Sequence, residues 1–233
     1  MKSDVEFLKD HRIFSGLFNG DIDILMKVVA TGSAKRRELI YQPGDPADAV
    51  YWIKTGRVKI NKLTEDGREI IIGMYQAGDV FGEMAFVEDR PREYFAEALD
   101  DVTFLSIKRH NLFSLAKRKP GIIYRVARLI GERRREVEAT MESFLYKGVR
   151  ERLAGQLLKL SREYGIEDTR GKLLRIKITH KDLASLIGSS RETVSLTLGD
   201  LKRVGLIDVN NDRKIIIKDE KTLSEMATMN APN

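Results

Sequence analysis

Apolar positions along the chain change period three times, and each change marks a different kind of element. Near the start, Ile22, Ile24, Leu25, Val28 and Val29 fall on one side of a helical stretch over residues 21–30, with Asp21 placed to cap it. From Leu39 onward, short runs rich in β-branched and aromatic residues take over, at 50–53, 58–63, 70–74, 80–81 and 102–107. Turn formers separate them: Pro43-Gly44-Asp45, Thr55-Gly56, Glu65-Asp66-Gly67 and Ala77-Gly78-Asp79. Many short strands at close spacing predict an antiparallel sandwich or barrel. After Pro120 the period is helical again. Ile123, Val126, Ile130, Val137, Met141 and Phe144 recur at steps of three, four or seven, and Arg134 takes the remaining position of the stripe. Such a heptad-like stripe is more than one helix buries alone. A seam between two copies and a helix packed on its own domain fit the spacing equally well.

Past Gly148 the pattern mixes both periods. It predicts an amphipathic helix over 150–164, a strand over 173–178, helices over 179–187 and 191–204, and strands over 206–209 and 214–217. Asn210-Asn211-Asp212-Arg213 is the hairpin signal between the last two, and residues 219–233 read as a ragged end. The paired helices carry the clearest local chemistry. Thr179 can accept from the third helical N–H while Asp182 reaches back, a capping box with Asp in place of Glu. Leu183, Leu186 and Ile187 supply a buried side, Gly188 allows the positive φ of a tight stop, and Ser190 caps the second helix. Val194, Leu198 and Leu201 continue the buried side, which leaves Arg191, Glu192 and Ser195 exposed at the helix N-terminus. That is the end of a recognition helix that meets base edges. Arg can grip guanine O6 and N7 with two parallel bonds, and Glu can accept from cytosine N4. Ser189, Ser190 and Thr193 are short donors suited to phosphates at a helix N-terminus. A plain amphipathic helix pair with surface charges is the competing reading.

Composition adds limits. The net charge of +6 and pI of about 9.4 suit a polyanionic partner without requiring one. From Gly148 onward 16 Lys and Arg face 12 Asp and Glu, so four of the six excess charges lie with the helix pair. The absence of cysteine excludes disulfides, thiolate zinc sites and Cys-ligated clusters. No apolar run is long enough to span a bilayer and the N-terminus lacks a signal core, which leads us to expect a cytoplasmic protein. No Walker-type loop, Ser/His/Asp arrangement or metal-ligand cluster is present, so neither catalytic nor metal residues are assigned. His11, His110 and His180 are the only histidines, and the first two are expected at the surface.

Four motifs, in order, carry a family resemblance: Pro43-Gly44-Asp45, Tyr51-Trp52-Ile53-Lys54-Thr55-Gly56-Arg57-Val58, Gly78-Asp79-Val80-Phe81-Gly82-Glu83-Met84-Ala85, and Gly188-Ser189-Ser190-Arg191-Glu192-Thr193-Val194-Ser195. Over about residues 14–218 the chain resembles the Crp/Fnr family of bacterial transcription regulators. The resemblance implies an α+β architecture: an N-terminal cyclic-nucleotide-binding-type β-roll (1–119), a long dimerisation helix (120–147) and a C-terminal winged helix-turn-helix (148–233). It implies a homodimer on a palindromic double-stranded operator, with RNA polymerase as a partner. The DNA contacts it implies are Thr179, Ser189, Ser190, Arg191, Glu192, Thr193, Ser195 and Leu196. Arg191 and Glu192 match the family's first two base-reading positions. The third is commonly Arg and here is Leu196, which could touch a thymine methyl or face the backbone. The implied effector pocket comprises Gly82, Glu83, Met84, Arg92, Arg134 and Val137, for a cyclic nucleotide or another small anion held against Arg133 or Arg134. Glu93 after the phosphate Arg, and Val137-Glu138 in place of two hydroxyls, depart from the cyclic-AMP binders. Activity without an effector is the alternative.

Overall fold

The computed structural model describes residues 3–67, 69–87 and 89–229, which form two compact units, Met1–Glu136 and Val137–Asn233. The first begins with α1 (Asp4–Asp10), started by a capping box in which Ser3 accepts from the Glu6 N–H at 3.3 Å and Glu6 from the Ser3 N–H at 2.9 Å. Helix α2 (Asn19–Met26) starts two residues before Asp21, whose carboxylate accepts the Phe18 N–H at 3.2 Å from inside the first turn. The helix also stops early. Val29 and Ala30, expected in it, open strand β1 (Val29–Ala34), because pairing with β8 (Val102–Lys108) supplies a full ladder from Val29↔Ile107 to Ala34↔Val102.

The remaining strands are β2 (Leu39–Tyr41), β3 (Ala49–Thr55), β4 (Arg57–Leu63), β5 (Glu69–Gln76), β6 (Val80–Phe81) and β7 (Phe95–Ala98). They form two four-stranded antiparallel sheets, β1-β8-β3-β6 and β2-β7-β4-β5. Alternate side chains divide between two cores. Ile53, Val58, Ile60, Phe81, Ala96 and Phe104 fill one, while Val50, Trp52, Leu105 and Ile107 pack with Leu8, Phe14 and Ile22 in the other. After β8 come α3 (Arg109–Arg118) and the 26-residue α4 (Gly121–Tyr146). The apolar stripe of α4 is divided. Val126 and Ile130, with Ile122 and Leu129, pack into the first unit's own core, whereas Ile123, Val137 and Met141 are exposed.

In the second unit α5 (Val149–Tyr164) leads into a hairpin of β9 (Gly165–Asp168) and β10 (Gly171–Leu174). The expected strand over 173–178 therefore ends at Leu174. Helices α6 (His180–Ile187) and α7 (Arg191–Arg203) follow, then β11 (Ile207–Val209) and β12 (Ile215–Ile217), in a sheet ordered β11-β12-β10-β9. Of the end expected to be ragged, 230–233 lie outside the described residues, while residues 220–228 form a further helix, α8 (Glu220–Thr228). Asp219 caps it, accepting the Thr222 N–H at 2.9 Å, and Leu223 and Ala227 enter the core with Leu153, Leu157 and Leu160. The last turns of α4 belong to this unit. Phe144 lies so close to Gly188 that a Cβ there would sit 3.3 Å from its ring. The Arg152 guanidinium stands 5.3 Å over that ring and donates to the carbonyls of Ile187 and Lys147 at 2.9 and 2.8 Å.

Candidate functional site

The helix pair is built by local chemistry. Thr179 Oγ1 accepts the Asp182 N–H at 3.1 Å and donates to the Asp182 carboxylate at 2.6 Å, and that carboxylate also accepts the Thr179 N–H at 3.0 Å. The Thr179 hydroxyl proton is thus already engaged within the cap. Gly188 adopts φ 60°, ψ 52°, which lets the chain turn after Ile187 without the strain a Cβ would bring. Ser190 Oγ then accepts the Thr193 N–H at 3.0 Å and lies 2.9 Å from Thr193 Oγ1. With Val194, Leu198 and Leu201 buried, the 3.6-residue period turns Arg191, Glu192, Ser195 and Leu196 outward, and all four are exposed. Ser189 and Thr193 are half-buried at the rim of the same end. The hairpin β11–β12 follows directly, with Arg213 exposed in its turn at φ 60°.

In the β-roll, Arg92 is only 7% exposed. Its Nη1 donates to Gly82 O at 3.1 Å and its Nη2 to Ala49 O, while Nε is buried without a partner. Tyr41 and Tyr51 flank the guanidinium, their ring centroids 4.3 and 5.7 Å away. Burial pushes both phenols above their usual range, against the pull of the Arg92 charge. Glu93 is exposed, and among the described residues the partners of Arg92 are carbonyls rather than a carboxylate; Glu88 lies outside the described residues. Gly82, at φ 71°, opens the 3₁₀ turn Glu83–Phe86, and a Cβ there would come within 2.9 Å of Arg92 Nη1 and 3.1 Å of the Tyr51 ring.

Glu83 is mostly buried and ion-paired with Arg133, which also donates to Val80 O and stacks 4.4 Å over Tyr75. Val126, Leu129 and Arg133 are spaced i, i+3, i+7 on α4, so burial of the first two aims the third at the β-roll. Arg134, one residue on, is exposed, so the arginine that reaches Glu83 is Arg133. Met84 is partly exposed on the 3₁₀ turn, and Val137 is exposed in the second unit. The part played by Tyr41, Tyr51 and Tyr75 around the two arginines went unread in the sequence, where they look like ordinary strand formers. His11 corrects another expectation. It is buried at 9% exposure, edge-on to Trp52 with centroids 6.2 Å apart, and its Nδ1 accepts the Ile13 N–H at 3.2 Å.

A capped helix pair with its hairpin, and a β-roll with an arginine buried at a glycine turn, define a DNA-binding transcription regulator with a cyclic-nucleotide-binding-type domain. Comparison with known proteins agrees. Residues 32–119 match the family described as "Cyclic nucleotide-binding domain" and 151–226 the "Crp-like helix-turn-helix domain". The chain is 30% identical over 224 residues to the "CRP-like cAMP-activated global transcriptional regulator" of Mycobacterium tuberculosis, covering 95% of this chain and 99% of that one. It is 27% identical over 231 residues to the "Anaerobic regulatory protein" of Bacillus subtilis, covering 98% of this chain and 97% of that one. Among solved structures, FixK2 from Bradyrhizobium japonicum aligns with a TM-score of 0.77 at 27% identity, over 88% of this chain and 100% of that one. The chain belongs to the Crp/Fnr family of transcription regulators. Among the described residues no helix is long and apolar enough to cross a membrane.

Proposed function

We propose that the protein is a sequence-specific regulator that binds a palindromic operator as a homodimer, reading bases with the N-terminal end of α7. The observation that carries this reading is the outward set Arg191, Glu192, Ser195 and Leu196 on a helix whose start is fixed by the Ser190 cap. Ser189, Ser190 and Thr193 would position the backbone. The exposed Val137 and Met141 on α4 support a seam with a second copy. Random-site selection on duplex DNA tests the proposal: a two-fold-symmetric site with half-sites about one helical turn apart is expected. Recovery of no preferred sequence refutes it.

For the β-roll we propose a small anionic effector, supported by the buried Arg92 guanidinium with an unpartnered Nε. A buried cation without a counter-charge is costly, and an anion removes that cost. A ribose hydroxyl would have to displace Arg133 from Glu83, so the site favours an anion other than a cyclic nucleotide. The Arg133–Glu83 pair also supports a second reading, in which this internal bridge does the work of a ligand and the regulator needs none. Operator affinity of the purified protein, with and without the small molecules of a cell extract, separates the two. A change supports gating, and no change supports the ligand-free regulator. A thermal shift with cyclic AMP, cyclic GMP or cyclic di-GMP would overturn the preference for another anion.

A further inference from the structure

Two uncharged residues on the outward face of α7 have no explanation inside the protein. Leu196 is 73% exposed, although the other leucines of α7, Leu198 and Leu201, are buried. Gly199 lies in the helix interior with no positive φ, and a Cβ there would meet nothing within 4 Å. Neither backbone conformation nor packing requires a glycine at that point, and glycine is a poor helix former. Glu192, Leu196 and Gly199 share one face at i, i+4 and i+7, with Ser195 beside them. The next residue, Asp200, has its carboxylate engaged by Arg203 Nη2 at 2.7 Å, which tempers the one negative charge at that position.

We infer that Leu196 reads a thymine in each half-site by contact with its 5-methyl group, and that Gly199 lets the duplex close onto that part of the helix. This rests on α7 being the base-reading helix. A leucine side chain offers no donor and no acceptor, and the one apolar feature on the major-groove edges of the four base pairs is the thymine methyl. The exposed Leu196 loses contact with water when that methyl packs on it, and a side chain at 199 would hold the groove wall away.

The test replaces thymine by uracil, which removes only the methyl, at each thymine of the selected half-site in turn. Wild-type protein is expected to lose about four-fold in affinity at one position, the worth of a buried methyl. Leu196→Ala is expected to bind the thymine and uracil duplexes equally, and Leu196→Arg to select guanine there. Gly199→Ala is expected to raise the melting temperature while weakening operator binding several-fold. Uracil tolerated at every position by a wild-type protein that still selects a defined site overturns the Leu196 assignment and leaves base reading by α7 standing. Failure to select any site overturns both. Operator binding by Gly199→Ala as tight as wild type overturns the close approach.

Discussion

His11 makes the first unit sensitive to mild acid. The ring sits against Trp52 and Phe14, and its pKa is lowered to about 4, chiefly by burial and then by the Arg12 charge, with a hydrogen bond to the Gly78 backbone opposing both. An unfolded chain restores the ordinary value near 6.5. Between those two values the unfolded state binds the proton and the folded state does not. Stability from the neutral ring is therefore complete above about pH 6.5 and is lost as pH falls toward 4. At pH 5 the loss relative to pH 7 is about 2 kcal/mol, and it approaches ~3 kcal/mol at the acid end of the window. For a unit of this size, 2 kcal/mol lowers the melting temperature by roughly 8 °C. Trp52 is the only tryptophan, so its fluorescence follows this unit alone. The comparison is His11→Gln, which keeps an acceptor for the Ile13 N–H and cannot titrate. Melting curves from pH 7 to 5 should fall more steeply for wild type than for the variant. Parallel curves would refute the burial argument, because the carboxylates titrating in the same range are common to both proteins.

Three further outcomes follow from the sites. Arg191→Ala should lower affinity for the selected operator by about 1–3 kcal/mol with little effect on random duplex, measured by fluorescence anisotropy; equal weakening on both refutes base reading. Arg133→Gln strands the mostly buried Glu83 carboxylate and should destabilise the first unit by about 3–5 kcal/mol in urea melts followed by Trp52, whereas a loss under ~1 kcal/mol would mark the pair as solvent-screened. Gly82→Ala combines a positive φ with a Cβ 2.9 Å from Arg92 and should cost about 1–3 kcal/mol in the same melts; a neutral result would mean that the turn re-forms without the glycine.

The helix pair was legible because everything that shapes it is local: Thr179 with Asp182, Gly188, and Ser190 with Thr193 lie within a few residues of one another. Strands β3 to β6 were legible for the same reason, because each is a run of β-branched and aromatic residues bounded by turn formers beside it in the chain. Residues 28–30 were misread because the ladder that makes Val29 and Ala30 a strand comes from 106–107, and a period taken over ten residues cannot see it. Helix α8 was missed because its buried face is short, and only packing on α5 makes Leu223 and Ala227 into a stripe. The arginine facing Glu83 depends on helical phase. A shift of one residue separates Arg133 from Arg134, and the phase is set by Val126 and Leu129 lying in the core. Tyr41, Tyr51 and Arg92 come from three separate segments and meet only in the closed β-roll. The family resemblance supplied Arg92 but not its aromatic surround.

The contact of Phe144 with Gly188, under the Arg152 guanidinium, has a mechanical meaning. Arg152 ties the carbonyl after α4 to the carbonyl that ends α6, so the helix end and the turn before α7 move as one piece. Two hydrogen bonds and a ring stacked under the guanidinium brace the turn before α7 from behind, so the placing of Ser190 and Arg191 depends on side chains outside the helix pair. Phe144→Ala removes the ring under the guanidinium and should lower the melting temperature of the second unit, followed by circular dichroism; an unchanged value would mean that the two hydrogen bonds of Arg152 brace the turn alone.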